Sequence, residues 1–111
     1  MKNIAVITGA SSGLGIEYAK AVIEMYRDLD EIWLIARRKN LMEKFADQHS
    51  NICIKSIALD LSNNEGYAEL KEQLFLEKPN IKVLINNAGY ERNGRIDDSK
   101  ESDILEMIDL N

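Results

Sequence analysis

A short apolar run that passes directly into a glycine-rich turn constrains the fold of this chain most. Residues 4–7 are continuously hydrophobic, as in a parallel strand that is covered on both faces. Gly9, Gly13 and Gly15 follow, and they allow a tight reversal, a close backbone approach and a helix packed on a strand. The N–H groups at the start of that helix favour an anion such as a pyrophosphate. The pattern predicts a phosphate-binding turn, although an ordinary strand-to-helix turn can carry the same glycines.

The rest of the chain alternates strands with amphipathic helices. Four strands are predicted, over residues 4–7, 31–36, 52–59 and 82–85. A helix follows each of them, the last one beginning at Ser99. Because such alternation requires right-handed crossovers, we expect the α/β class with a parallel sheet. The expected fold is one domain over residues 1–111, an incomplete Rossmann-type doubly wound sheet of about four strands in the order 3-2-1-4.

The helix faces and starts can also be predicted from spacing. The first helix should bury the apolar residues that recur at helical spacing, namely Leu14, Tyr18, Val22 and Met25. Asn40 with Glu43, and Ser62 with Glu65, have the spacing of capping boxes and predict the starts of the next two helices. Cys53 lies in an apolar run and is predicted to be a buried small hydrophobe.

Composition excludes several classes of function. The net charge of −5 argues against nucleic acid or an anionic membrane as a partner, because no basic stripe offsets repulsion from phosphates. The N-terminal apolar run is too short for a signal peptide or a membrane span. Cys53 and His49 are single examples of their types and cannot build a zinc site. We expect a cytoplasmic protein without a metal.

The end of the second predicted strand indicates which dinucleotide would fit. About twenty residues beyond the glycine turn, an NAD-binding protein usually places an acid that holds the ribose hydroxyls. Here Ala36 occupies that position and is followed by Arg37 and Arg38. A guanidinium binds a 2'-phosphate that a carboxylate would repel. The sequence therefore favours NADP and disfavours an S-adenosylmethionine-dependent methyltransferase, although two arginines after a strand can also be a solvated loop.

Polar residues follow the third and fourth predicted strands. Asp60 and Leu61 come directly after the third strand, where Asp60 could cap the next helix. Residues 86–89 read Asn-Asn-Ala-Gly directly after the fourth strand. Asparagine can tie neighbouring strands together, and the small Ala88 and Gly89 leave room for a ribose. A generic polar turn is the alternative for this stretch.

Taken together, the turn from Thr8 to Gly15, the arginine after the second strand and the Asn-Asn-Ala-Gly stretch resemble the short-chain dehydrogenase/reductase family. The resemblance covers the whole chain and implies hydride transfer between NADP(H) and a small carbonyl or alcohol substrate. In that family the aspartate accepts a bond from the adenine amino group, and its neighbour's backbone reads the ring edge. The implied cofactor-binding residues are Gly9, Ser11, Ser12, Gly13, Leu14, Gly15, Arg37, Arg38, Asp60, Leu61, Asn87, Ala88 and Gly89.

The resemblance also implies which catalytic groups to expect. The family uses a tyrosine acid/base with a lysine four residues later, a serine, and an asparagine that supports a proton path. Asn111 falls where that asparagine belongs, and the serine and the Tyr-x-x-x-Lys element should lie beyond it. Tyr67 and Lys71 match this spacing but come too early, so we interpret them as structural. The 111 residues alone are therefore expected to be inactive.

Two expectations about assembly and role complete the sequence-based picture. A fourth strand without a fifth beside it would leave an edge that favours self-association, so we expect a homo-oligomer or a marginally stable chain. The chain is interpreted as the truncated cofactor-binding part of an NADP-dependent reductase. The alternative is a non-catalytic nucleotide-binding or interaction module.

Overall fold

The computed structural model describes residues 1–10, 13–61 and 63–87. Strands and helices alternate along them: β1 (Asn3–Thr8), α1 (Gly13–Met25), β2 (Glu31–Ala36), α2 (Lys39–Gln48), β3 (Cys53–Ala58), α3 (Asn64–Glu77) and β4 (Asn80–Asn86). The predicted helix after Ser99 lies outside the described residues. No helix in the described ranges combines the length and apolar character that crossing a membrane requires.

The four strands form one parallel sheet in the order β3-β2-β1-β4, which confirms the predicted fold class and strand order. Thr8, the last residue of β1, pairs with Ile35 on one side and with Asn86 on the other. Ala36 at the end of β2 pairs with Ala58 at the end of β3. Because the register is nearly level, all four carboxyl ends meet at one edge of the sheet, which we call the carboxyl edge.

The sheet is covered on both faces around β1 and β2. One apolar cluster includes Ala5, Ile7, Ile32 and Leu34, which pack with residues from α1 and α2. The opposite cluster includes Ile4, Val6, Trp33 and Ile35, which pack with Leu70 and Leu74 of α3. Trp33 is fully buried within this cluster. The apolar residues of β4 are only partly buried, so β4 is covered less completely than β1.

The predicted buried face of α1 is wrong except for Val22. Leu14, Tyr18 and Met25 are exposed by 51%, 36% and 72%, whereas the buried residues of α1 are Gly15, Ala19 and Val22. A Cβ on Gly15 would lie 2.4 Å from the carbonyl oxygen of Gly9. The helix backbone therefore rests directly on the turn before it, and this contact turns the small residues inward rather than the large ones.

The predicted capping boxes are also corrected. Only two residues separate β2 from α2, so the N-cap of α2 is Arg38 rather than Asn40. Arg38 is extended and makes no side-chain capping bond, because a guanidinium has no acceptor. The N-cap of α3 is Asn63, whose Oδ1 accepts a 2.8 Å hydrogen bond from the N–H of Gly66. This is the usual side-chain cap, supplied by the residue after the predicted Ser62. At the other end of α3, Lys78 adopts the left-handed conformation with φ 46° before Pro79.

Cys53 is exposed rather than buried because it begins β3, the outermost strand on its side of the described sheet. Its Sγ lies 3.7 Å from Oε2 of Glu31, a carboxylate that also accepts hydrogen bonds from Lys2 Nζ at 3.0 Å and Trp33 Nε1 at 3.1 Å. Burial alone would raise the pKa of Glu31, but these hydrogen bonds outweigh it and lower the pKa. Partial burial and the neighbouring carboxylate raise the pKa of Cys53. This cluster lies at the amino edge of the sheet, opposite the carboxyl edge.

Candidate nucleotide-binding site

The turn between β1 and α1 has the geometry that the glycine pattern predicts. Gly9 has a φ of 65°, a conformation that residues with a side chain rarely adopt. The turn is fixed to the next strand by a 3.2 Å hydrogen bond from Ala10 N–H to the carbonyl of Ile35. Around Gly13, by contrast, a Cβ would meet nothing within 4 Å, so the space above the helix start is open. A ligand can therefore approach the backbone at Gly13 closely.

The start of α1 favours an anion on electrostatic grounds. The first turn of the helix contains no acidic residue that would satisfy the positive end of its dipole. N–H groups in a first turn lack carbonyl partners within their own helix. Gly13 and Leu14 are both exposed at this point. The turn thus joins an open surface, N–H donors and a positive helix end, which together suit a phosphate group.

The end of β2 places two cations at the carboxyl edge. Ala36 is buried, and its carbonyl accepts a 2.9 Å hydrogen bond from Leu59 N–H, which joins the ends of β2 and β3. Arg37 and Arg38 follow directly and are both exposed. Among the described residues, neither guanidinium forms a salt bridge. Both cations are thus available at the position where dinucleotide-binding sheets contact the adenosine ribose.

The turn between β3 and α3 is compact. Leu61 is buried in the apolar cluster on the α3 face, and Asp60 beside it is half-buried. The carbonyl of Asp60 accepts a 3.3 Å hydrogen bond from Asn63 N–H. A Cβ on Gly66 would lie only 2.2 Å from that same oxygen. The capping role considered for Asp60 falls to Asn63, so the Asp60 side chain is not the N-cap of α3.

Gly66 is the residue of this region that the sequence analysis missed. It follows Asp60 at the spacing that separates Gly15 from Gly9, and that repeated spacing was the available signal. In both turns a glycine of the first helical turn stands against the carbonyl of the residue that opens the turn.

The end of β4 is tied to the glycine turn by Thr8 and Asn87. Thr8 Oγ1 donates a 2.9 Å hydrogen bond to Asn86 Oδ1 and accepts a 3.0 Å bond from Asn87 N–H. Asn87 is 3% exposed, and its Nδ2 donates to the carbonyl of Gly9 at 3.2 Å. Asn87 therefore connects neighbouring strand ends, in the way that its side chain chemistry predicts.

The carboxyl edge thus brings together Gly9, Arg37, Asp60 and Asn87 from four different strand ends. The predicted site residues Ser11, Ser12, Ala88, Gly89 and Asn111 lie outside the described residues. Tyr67 is buried and Lys71 is exposed on α3, as their structural interpretation expects. The open space at Gly13, the helix start, two cations and a carboxylate fit the phosphates, the ribose and the base of a dinucleotide.

The fold and this edge define an α/β domain of Rossmann type. The family model for short chain dehydrogenase matches residues 3–111. The chain therefore belongs to the short-chain dehydrogenase family. The curated relatives that it matches are named oxidoreductases.

Individual relatives agree with this assignment. The uncharacterized oxidoreductase DltE of Bacillus subtilis is 32% identical over 90 residues, which cover 81% of this chain and 34% of DltE. A short-chain dehydrogenase from Sphingobium yanoikuyae, solved in complex with NADPH, is 32% identical with a TM-score of 0.66, covering 78% of this chain and 34% of that one. A bulky-bulky ketone specific alcohol dehydrogenase from Comamonas testosteroni is 26% identical with a TM-score of 0.74, covering 95% and 49%. The chain spans between a third and a half of these relatives.

Proposed function

We propose that this chain is the NADP-binding part of an oxidoreductase that transfers hydride between NADP(H) and a small carbonyl or alcohol substrate. The observation that carries the choice of NADP is the pair of exposed arginines directly after buried Ala36, without an acid at the strand end. A guanidinium binds the 2'-phosphate that distinguishes NADP from NAD. The NADPH bound in the Sphingobium yanoikuyae relative supports this proposal.

Each part of the carboxyl edge has a separate role in this proposal. The turn over residues 9–15, which includes Ser11, Ser12 and Leu14, holds the pyrophosphate through backbone N–H groups. Arg37 binds the 2'-phosphate, with Arg38 beside it. The carboxylate of Asp60 accepts a bond from the adenine amino group, and Leu61 N–H contacts the ring edge. Asn87, with Ala88 and Gly89, borders the ribose. When bound, the dinucleotide supplies or accepts the hydride.

The proton chemistry belongs to groups that the described residues do not provide. In the proposed mechanism Asn111 supports a proton path, and a tyrosine acid/base with its lysine follows in the longer protein. We therefore expect nucleotide binding from these 111 residues and no turnover.

The test is a comparison of NADPH and NADH affinity, measured by nucleotide fluorescence or calorimetry. We expect the chain to bind NADPH more tightly than NADH. Arg37→Glu should weaken NADPH binding by about tenfold or more, because it replaces a charge-assisted bond with repulsion. It should leave NADH affinity nearly unchanged. Arg27→Glu is the matched control, since it makes the same charge change at an exposed arginine between α1 and β2, at the opposite edge of the sheet.

Two results would contradict the proposal. If NADH bound as tightly as NADPH, the arginines would not select the cofactor. If Arg37→Glu and Arg27→Glu weakened NADPH equally, the effect would be one of overall charge rather than of a 2'-phosphate site.

A further inference from the structure

The backbone contact between Gly66 and Asp60 has no room for a side chain. A Cβ on Gly66 would lie 2.2 Å from the carbonyl oxygen of Asp60, 2.8 Å from its carbonyl carbon and 3.1 Å from its nitrogen. All three atoms belong to backbone, so no rotamer change can relieve the clash. Any residue larger than glycine at position 66 must displace either α3 or the turn at Asp60.

Both the helix and the turn are anchored by buried side chains. α3 is anchored by Tyr67, Leu70 and Leu74, which are exposed by 8%, 1% and 3%. The turn is anchored by Leu59 and Leu61, which are exposed by 7% and 6%, and its Asp60 carbonyl accepts a 3.3 Å hydrogen bond from Asn63 N–H. Whichever of the two yields, a side chain at position 66 must change the position of the Asp60 carbonyl relative to the first turn of α3.

Moving that carbonyl moves the N–H of Leu61 as well. The carbonyl of Asp60 and the N–H of Leu61 belong to one planar peptide group, so a rotation that displaces the oxygen reorients the N–H. The Asp60 side chain leaves the same backbone. Both groups that the proposed function assigns to adenine thus belong to the two residues joined by the peptide that Gly66 contacts.

We propose that Gly66 is a positioning residue that sets the preference of this site for adenine. The inference rests on the proposed function of Asp60 and Leu61. Gly66 acts through the orientation of the peptide between them, because its lack of a Cβ lets the first turn of α3 press against the Asp60 carbonyl. The first turn of α3 thereby fixes where the base is recognised.

The experiment compares NADPH with its analogue in which hypoxanthine replaces adenine. Hypoxanthine presents a carbonyl oxygen where adenine has an amino group, and an N–H where adenine has an acceptor. The unsubstituted chain should bind the adenine form roughly tenfold more tightly or better, since the analogue leaves both protein groups mismatched. Gly66→Ala should reduce this ratio toward one. Glu69→Ala, an exposed substitution in the next turn of α3, should retain the full ratio.

The adenine-to-hypoxanthine ratio separates positioning from folding, because a merely destabilised domain loses affinity for both nucleotides together. A folded Gly66→Ala variant that retains the ratio would overturn the inference. If Gly66→Ala does not fold, Asn63→Ala provides the second test, because it removes the cap that holds Gly66 N–H at 2.8 Å. That variant should lower the ratio about twofold to threefold, at the low end of what one lost cap is worth, and an unchanged ratio would overturn the inference. Absence of NADPH binding by the unsubstituted chain would instead refute the proposed function itself.

Discussion

The turns after β1 and after β3 use the same packing contact for different chemistry. In each, the third residue of the helix is a glycine whose absent Cβ lets the helix rest on an earlier carbonyl. A Cβ would lie 2.4 Å from that carbonyl oxygen at Gly15 and 2.2 Å from it at Gly66. The first turn opens with Gly9 in a left-handed conformation and offers a positive helix start. The second opens with Asp60 and is capped by Asn63. Close packing thus fixes both turns, and in the proposed function the residues around the packing contact decide whether a turn binds a phosphate or a base.

The largest expected effect is that of Gly15→Ala. The new Cβ would clash with backbone of both Gly9 and Ala10, and that backbone is held by hydrogen bonds to β2 and to Asn87. We expect a loss of about 3 kcal/mol in the free energy of unfolding, at the upper end for overpacking, and loss of NADPH binding. Urea unfolding and a nucleotide titration measure the two effects.

Gly13→Ala is the matched control for stability in the same turn. A Cβ there meets nothing within 4 Å, so we expect unchanged or slightly increased stability from the reduced entropy of the unfolded chain. If Gly13→Ala and Gly15→Ala destabilised the chain equally, the close packing at Gly15 would not be the cause of the loss.

Gly66→Ala should have the next largest effect on stability, a loss of about 2 kcal/mol by urea unfolding. The loss should be smaller than for Gly15→Ala because the clash involves Asp60 alone, beside the outermost strand β3. An ordinary glycine-to-alanine change inside a helix stabilises it by roughly 0.5 to 1 kcal/mol. A stabilised Gly66→Ala variant would therefore contradict the parallel between the two turns.

Thr8→Val should cost about 1 to 2 kcal/mol of unfolding free energy, because it leaves the buried N–H of Asn87 without its hydroxyl acceptor. It also removes the bond to Asn86 Oδ1. Thr8→Ser keeps the hydroxyl and should lose much less. If the two variants were equally stable, these hydrogen bonds would not hold β4 to the first turn.

The smallest expected effect lies at the opposite edge of the sheet, in Glu31→Gln. The pKa of Glu31 is lowered in the folded chain, so its carboxylate stabilises the fold above about pH 4.5, and this contribution is lost as the pH falls through the folded value. Glutamine can still accept from Trp33 but loses the ion pair with Lys2, which is exposed and screened by solvent, so the loss at neutral pH should be small.

The acid unfolding profile of Glu31→Gln should therefore be flatter below pH 4.5 than that of the unsubstituted chain. NADPH affinity at neutral pH should not change, because the substitution lies far from either turn. A profile with the same slope would remove Glu31 as a source of the pH dependence.

The strands and helices and their order were predictable from sequence because burial on both faces requires continuous apolar runs, which β1 and β2 contain. The glycine turn was predictable for the same kind of reason, since Gly9 and Gly15 have no substitutes in that geometry. The buried face of α1 could not be predicted in this way. Periodicity gives most weight to large apolar residues such as Leu14 and Met25, whereas the rotation of the helix is set by a backbone contact at Gly15.

The turn between β3 and α3 was harder to predict because a single side-chain hydrogen bond decides which residue is the N-cap. Ser62 and Asn63 are both good caps, and only the structure shows that Asn63 bonds to Gly66. Cys53 was predicted to be buried from its apolar neighbours, but β3 is an outer strand of the described sheet and exposes it. The predicted strand order already placed the third strand at one side of the sheet, but the apolar run around Cys53 was given more weight than that position.

The most direct test of the proposed site is to follow backbone amide signals by NMR while NADPH is added. The amides of Gly13, Gly15, Arg37 and Leu61 should shift together and saturably. The amides of Lys2, Glu31 and Cys53 at the amino edge should stay in place. A dinucleotide site at the carboxyl edge would be contradicted if excess NADPH caused no shifts at all. It would also be contradicted by shifts at the amino edge without shifts in the turns after β1 and β3.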